Sequence, residues 1–246
     1  MLFFGSVHAG RPLAIEDTSP VPFQHLEVEF GMSTEHDRSD PPEHGWPNLA
    51  LAYGIYPRFE IGVGIRRINR EGEPRSRSQH GFEDLHLTAK YNVSEETSLL
   101  PAFSVDLDVK LPTANRSKGL STGKSDQSLR TSATKNFQSV AAHLNWAYTL
   151  VQSPPGEKLK NRIFGGAAIE WLFRPDLTFV AEVFAASRPA RGEANELEFQ
   201  TGIKYALTPR LVLDAGLGRS LRTVGTAVQG TAGLTWTTDL GKLFVR

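Results

Sequence analysis

The chain has 246 residues, enough for one domain, and its 27 Lys plus Arg balance 27 Asp plus Glu. That balance gives no field to steer it onto nucleic acid, and the absence of cysteine removes disulfide frameworks, thiolate metal sites and cysteine nucleophiles together. No stretch reaches the roughly 18 apolar residues of a membrane helix, and mean hydropathy is -0.29, but barrel strands keep hydropathy low too, because every second side chain turns away from lipid.

The N-terminus, Met1-Leu-Phe-Phe-Gly-Ser-Val-His-Ala9, resembles the end of a secretory signal, with Val7 and Ala9 at the small-residue positions before a cleavage site. It lacks the basic region and full apolar stretch of a complete one. Residues 1–22 therefore read as a signal remnant and an N-terminal periplasmic or plug segment, and residues 23–246 as a β-barrel domain.

From residue 26 onward the repeat has period two. In Phe59-Glu-Ile-Gly-Val-Gly-Ile65 the odd positions are large and apolar while the even ones are Glu60, Gly62 and Gly64. In Phe103-Ser-Val-Asp-Leu-Asp-Val-Lys-Leu111 the even face carries Ser104, Asp106, Asp108 and Lys110. The same pattern runs through 26–32, 48–54, 85–91, 140–150, 163–173, 177–185, 197–205, 211–217 and 228–236, with 128–135 the weakest. The total is about twelve, an even number as in bacterial single-chain barrels.

The connections alternate in length. Residues 56–58, 92–97, 137–138, 174–176 and 208–210 make short turns, and 34–46, 69–80, 112–126, 152–160, 188–195 and 220–226 make longer polar links. Short turns on one rim and long loops on the other is the arrangement of an up-and-down antiparallel transmembrane β-barrel in the outer membrane of a Gram-negative cell. About twelve strands enclose a lumen too wide to fill with apolar side chains, so the polar set belongs inside and the apolar set against membrane lipid. Tyr53, Tyr91, Trp146, Tyr148, Trp171, Tyr205 and Trp236 fall on that outward face, where their rings suit the headgroup region. The competing reading is a soluble sandwich with the same residues in its core.

Four segments carry a likeness to a known family: Gly10-Arg-Pro-Leu-Ala-Ile-Glu-Asp17; Leu49-Ala-Leu-Ala-Tyr-Gly-Ile-Tyr-Pro-Arg-Phe-Glu-Ile-Gly-Val-Gly64; Gly81-Phe-Glu-Asp-Leu-His-Leu-Thr-Ala-Lys-Tyr91; and Lys110-Leu-Pro-Thr113 followed by Gly119, Gly123 and Asp126. In these the chain resembles the outer-membrane barrels grouped as phenol meta-pathway degradation proteins or as transporters. The resemblance implies a barrel admitting small aromatic or hydrophobic molecules, and it supplies no catalytic residues. One departure is the C-terminus, which continues past Trp236 to Leu243-Phe244-Val-Arg246 where such barrels commonly end on an aromatic.

Projecting the alternation inward gives a pore-lining set of Glu27, Glu29, Glu60, Arg66, Asp84, His86, Lys90, Asp106, Asp108, Lys110, Arg130, His143, Glu170, Glu182, Glu198, Lys204 and Asp214, of which ten are acidic, five basic and two histidine. Buried charge must be paired or hydrated, so the lumen is either a narrow, partly plugged conduit or a sealed ion-pair network. The acidic excess favours cations. Selectivity is expected at Asp106, Asp108, Glu182 and Glu198 and in the loop 112–126.

Three sharper motifs read as bland. His86 and His143 have no short ligand spacing, so no metal site is expected. His143-Leu-Asn145 is the nearest approach to the serine, histidine and asparagine of an outer-membrane lipid hydrolase, but no serine stands at a nucleophile's spacing. Gly119-Leu-Ser-Thr-Gly123-Lys124-Ser125 has three residues between glycines where a phosphate-binding loop requires four, so it reads as a surface loop. The expectation is passive passage of a small solute, without cofactor or covalent chemistry. A non-conducting structural or binding barrel is the alternative.

Overall fold

The computed structural model describes residues 11–37, 42–70, 79–189, 195–222 and 226–241. The reading of residues 1–9 as a signal, and the tail beyond Trp236 from residue 242, lie outside them. The wall consists of β1 (His25–Asp37), β2 (Glu43–Tyr56), β3 (Phe59–Arg70), β4 (Gln79–Phe82), β5 (Leu85–Ser94), β6 (Ala102–Leu111), β7 (Asp126–Phe137), β8 (Val140–Leu150), β9 (Arg162–Arg174), β10 (Leu177–Ala186), β11 (Glu196–Thr208), β12 (Leu211–Ser220) and β13 (Thr226–Asp239). Apart from the step from β4 to β5, each strand pairs antiparallel with the next in the chain. β4 and β5 share the same edge of β3, interrupted at Glu83 and Asp84, so the wall is a closed barrel of twelve strands plus that short extra piece.

Closure is made by β13 on β1, in register from His25↔Asp239 to His36↔Val228. With no edge left, every ladder amide has a partner, which a hydrocarbon surrounding demands. Apart from β4 the strands run 10 to 14 residues, enough to cross the hydrocarbon at a tilt.

The sidedness inverts that of a soluble protein. Leu144 is 61% exposed and Leu217 67%, whereas Glu182 is 2% and Asp214 5%. Large apolar side chains cover the outside of the wall and ionisable ones are enclosed, so the soluble sandwich is excluded.

Several strands outrun the alternation. β1 and β2 continue through residues read as the link 34–46, and β3 continues to Arg70. At that rim the backbone ladder persists while lipid no longer demands an apolar face, so pairing goes on without its signature. Bulges at Gly31/Ser33 and Gly45/Asn48 shift the register there. The weak stretch 128–135 belongs to a regular strand, β7. Its outward Thr131 donates its hydroxyl to the Trp146 carbonyl at 3.5 Å, which makes a polar residue tolerable on the lipid side.

On the short-turn rim, Arg58 and Gln138 adopt φ of 69° and 54°, left-handed values that close tight hairpins. The 95–101 link is pinned there too. Asn136 and Lys135 both bond the Glu96 carboxylate, which holds its carboxyl below the usual range. Residues 11–22 run from this rim into the barrel, just before Gln24, whose carbonyl accepts from Leu240 N–H at 2.9 Å.

A charge placed on the outer face separates this arrangement from any soluble one. Leu144→Arg, near the middle of β8, is expected to lower stability in lipid vesicles by about 2–4 kcal/mol, measured by denaturant titration of refolded protein. A loss within experimental error would contradict the outward placement.

Candidate functional site

The interior is organised around residues 11–22, which make no ladder with the wall beyond a single bridge at Phe23–Gly54 and bond mainly to side chains. Arg11 approaches Asp214 at 3.5 Å and donates to Thr231 Oγ1 and the Ala232 carbonyl. The Pro12 carbonyl accepts from Gln200. The amides of Ala14 and Ile15 both donate to Glu182, at 2.8 to 3.0 Å. Asn145 takes the Glu16 amide on Oδ1 and returns Nδ2 to the Glu16 carbonyl, both at 2.8 Å. Thr18 is held by Thr134 and Asn92, and the Val21 amide donates to Glu60.

Glycines make the room. A Cβ at Gly31 would lie 2.3 Å from Arg11 Cζ, one at Gly54 2.2 Å from the Pro22 carbonyl oxygen, and one at Gly216 3.1 Å from Pro12. A larger side chain at any of the three would strike the inner segment.

The charged residues projected inward fall into tiers. Toward the long-loop rim, Arg66 pairs with Glu83 at 2.6 Å and Glu43 at 2.7 Å, Lys110 with Asp126 at 2.5 Å and Asp84 at 3.8 Å, and His86 Nδ1 meets Asp108 at 2.8 Å. In the middle, Lys90 reaches Glu16 at 3.2 Å and Asp106 at 3.9 Å, and Arg130 reaches Glu16 at 3.4 Å while its guanidinium covers the Phe164 ring. Toward the short-turn rim, Lys204 pairs with Glu170 at 2.7 Å, and His143 stands 3.8 Å from the same carboxylate. Glu198 accepts from Gln229, and Glu27 from Thr237.

Two cavities flank the segment. The outer, of about 760 Å³, is lined by Arg11, Glu29, Asn48, Arg66, His86 and the loop residues 119–122 among others. That loop folds over the mouth: Asp84 accepts from Ala114 N–H and Ser121 Oγ, and Leu120 presses on Gly81. The inner cavity, of about 860 Å³, is lined by Asp17, Pro20, Asn92, His143, Lys204 and the turn residues 138–139 among others. Residues 12–16 lie between the two.

The two histidines thus line different cavities and do not form a ligand pair. Asn145 is committed to the Glu16 backbone and His143 Nδ1 to Thr134 Oγ1 at 3.0 Å, while Ser132, opposite Asn145 across the β7–β8 ladder, donates to Asp106 at 3.5 Å. Gly119, at φ of 72°, caps the end of a 3₁₀ segment, Arg116–Lys118, Gly123 follows at φ of 70°, and a strand comes next instead of a helix.

The sequence reading missed Arg11 as the inner segment's tie to the wall, and Asn145, Gln200 and Thr134 as partners of that segment. It also missed Phe164, Ala168, Val180 and Phe184, apolar residues that face inward beneath Leu13 and Ile15. The available signal was a break in alternation: in β9, Gly166 and Ala168 are small on the face that elsewhere carries charge.

The family model described as "Putative MetA-pathway of phenol degradation" matches residues 9–238. The chain belongs to that family. Its fold matches that of the COG4313 outer membrane channel from Pseudomonas putida F1, with 14% identity, a TM-score of 0.74, and cover of 92% of this chain and 100% of that one. The NanC porin aligns at 9% identity and a TM-score of 0.61 over 86% of this chain and 98% of its own, and the KdgM porin at 9% and 0.56 over 85% and 98%. No curated protein matches the sequence. This member of the phenol-degradation family is an outer-membrane barrel with the channel and porin fold.

The fit between wall and segment is open to a direct check. Gly31→Ala is expected to push the Arg11 side chain off Asp214 and raise ion conductance in planar bilayers, and Arg11→Ala should do the same without touching the wall. Equal conductance in both variants and the parent would deny Arg11 a holding role.

Proposed function

We propose that the protein is a channel for passive uptake of a small, uncharged, aromatic or apolar solute, with the inward residues from Glu27 to Asp214 named above lining its path. The observation that carries this reading is a closed barrel holding two substantial cavities separated by only a short stretch of non-ladder chain. A lumen sealed by its ion pairs would leave no solute-sized space, whereas these cavities hold about 760 and 860 Å³. An apolar face inside an otherwise charged lumen favours an uncharged solute.

The acidic excess of the wall is partly met from within. Arg11 pairs with Asp214, and the amides of Ala14, Ile15 and Val21 donate to Glu182 and Glu60, so the segment gives hydrogen-bond partners to carboxylates that the strands leave over. We read the barrel as free of covalent chemistry, because His143 and Asn145 serve the inner segment and its cavity. Residues 1–22 then act as leader and inner segment, and 23–246 as the conducting domain.

Uptake is tested in intact cells making the protein, with N-phenyl-1-naphthylamine, an apolar dye that an intact outer leaflet holds back. Faster dye uptake than in cells without the protein is expected; identical rates would favour the non-conducting barrel. In planar bilayers the residual current should prefer K⁺ over Cl⁻, and Arg11→Gln should strengthen that preference by removing a lumen cation. A reversal potential favouring Cl⁻ would oppose the assignment of the carboxylates to the conducting path.

A further inference from the structure

We propose that Leu13 and Ile15 occupy the solute's own binding site, so that the inner segment acts as an internal stand-in that an apolar molecule displaces. The inference rests on the uptake reading above and assigns the site within it.

The wall of a charged lumen has no electrostatic reason to turn apolar across neighbouring strands, yet β8, β9 and β10 do so around Glu182, which lies between Val180 and Phe184 and accepts from the Ala14 and Ile15 amides. Ala147, Phe164, Ala168, Val180 and Phe184 face inward, with Ala147, Ala168 and Val180 at most 4% exposed. Cross-strand register places Phe164 opposite Ala147, and Phe184 opposite Gly166. The Phe164 and Phe184 rings stand 5.5 Å apart at a tilt of 35°, and Gly166 brings the wall close under Ile15: a Cβ there would lie 2.6 Å from Phe184 Cβ and 2.8 Å from Ile15 Cδ1.

Leu13, 9% exposed, and Ile15, 2%, occupy the recess over this apolar face. Their side chains present the surface of a small hydrocarbon, and the Phe faces suit an aromatic ring at offset or edge-on geometry. The backbone that carries them is held by Glu182, Asn145 and Gln200 through hydrogen bonds that water can replace once the segment shifts. The recess therefore takes a small uncharged aromatic or alkyl molecule, and solute and segment exclude each other. Occupancy by solute frees the stretch between the two cavities, which couples binding to opening.

The chain has no cysteine, so Leu13→Cys introduces a unique thiol. Its modification by a water-soluble methanethiosulfonate cation is followed in refolded, heat-modifiable protein with and without toluene. Exchange predicts labelling faster by about tenfold when toluene competes for the recess. Ser121→Cys in the outer loop should label at an unchanged rate, and in Leu13→Cys combined with Val180→Thr the toluene response should shrink. No acceleration at Leu13→Cys, or one equal at Ser121→Cys or undiminished by Val180→Thr, overturns the stand-in assignment. The dye assay distinguishes the two readings: dye uptake without toluene-dependent labelling leaves passage standing and removes the exchange, whereas absent uptake removes passage itself.

Discussion

A peptide group in hydrocarbon has no water to bond, so the seam between β1 and β13 governs everything else in this molecule. An open sheet of these strands would expose two rows of unpaired amides to lipid. Once the sheet closes on itself at twelve strands, the lumen is wider than side chains can fill. The interior must then hold water, a further piece of chain, or both. Here it holds both a segment and cavities, and the segment's path follows from what the wall lacks.

What the wall lacks is positive charge and bulk at particular places. Carboxylates outnumber cations along the inward faces, and burial without partners is costly. Residues 11–22 supply Arg11 for Asp214 and backbone donors for Glu182 and Glu60, and Glu16 adds a carboxylate to Lys90 and Arg130. Wall and segment are electrostatic complements, each incomplete alone. The glycines complete the fit, since Gly31, Gly54 and Gly216 mark where the segment presses on the strands.

The alternation made the barrel and its sidedness legible in the sequence, because lipid on one side and water on the other impose opposite demands at every step of a strand. In β8 the pattern fills Val140–Leu150 end to end. Legibility fades where either demand relaxes: beyond the hydrocarbon in β1 to β3, and in β7 where Thr131 satisfies itself on the backbone. The inner segment was legible as a candidate plug but its route was not. It bonds to side chains from strands far apart in the chain, such as Asn145 and Gln200, and no local spacing encodes such partners. Gly202 and Gly216 leave space on the lumen side of the wall, and that space is where Pro12 sits.

How firmly the segment stays in place is a matter of opposed magnitudes. Burying Leu13 and Ile15 contributes about 1.5–3 kcal/mol each, and each hydrogen bond to a charged group such as Glu182 about 1.5–3 kcal/mol. Against this, ordering the chain costs about 1–2 kcal/mol for every residue fixed, along the whole of 11–22. The two sides are of similar size, so the docked state is held by a small difference. A competing ligand shifts that balance by about 2.7 kcal/mol at a hundredfold excess over its Kd, comparable with what one of the apolar side chains contributes. A segment bound in this way remains seated in an empty lumen and yields where an apolar molecule competes for the same recess. A segment paired into the ladder would have to break a row of backbone bonds to do so.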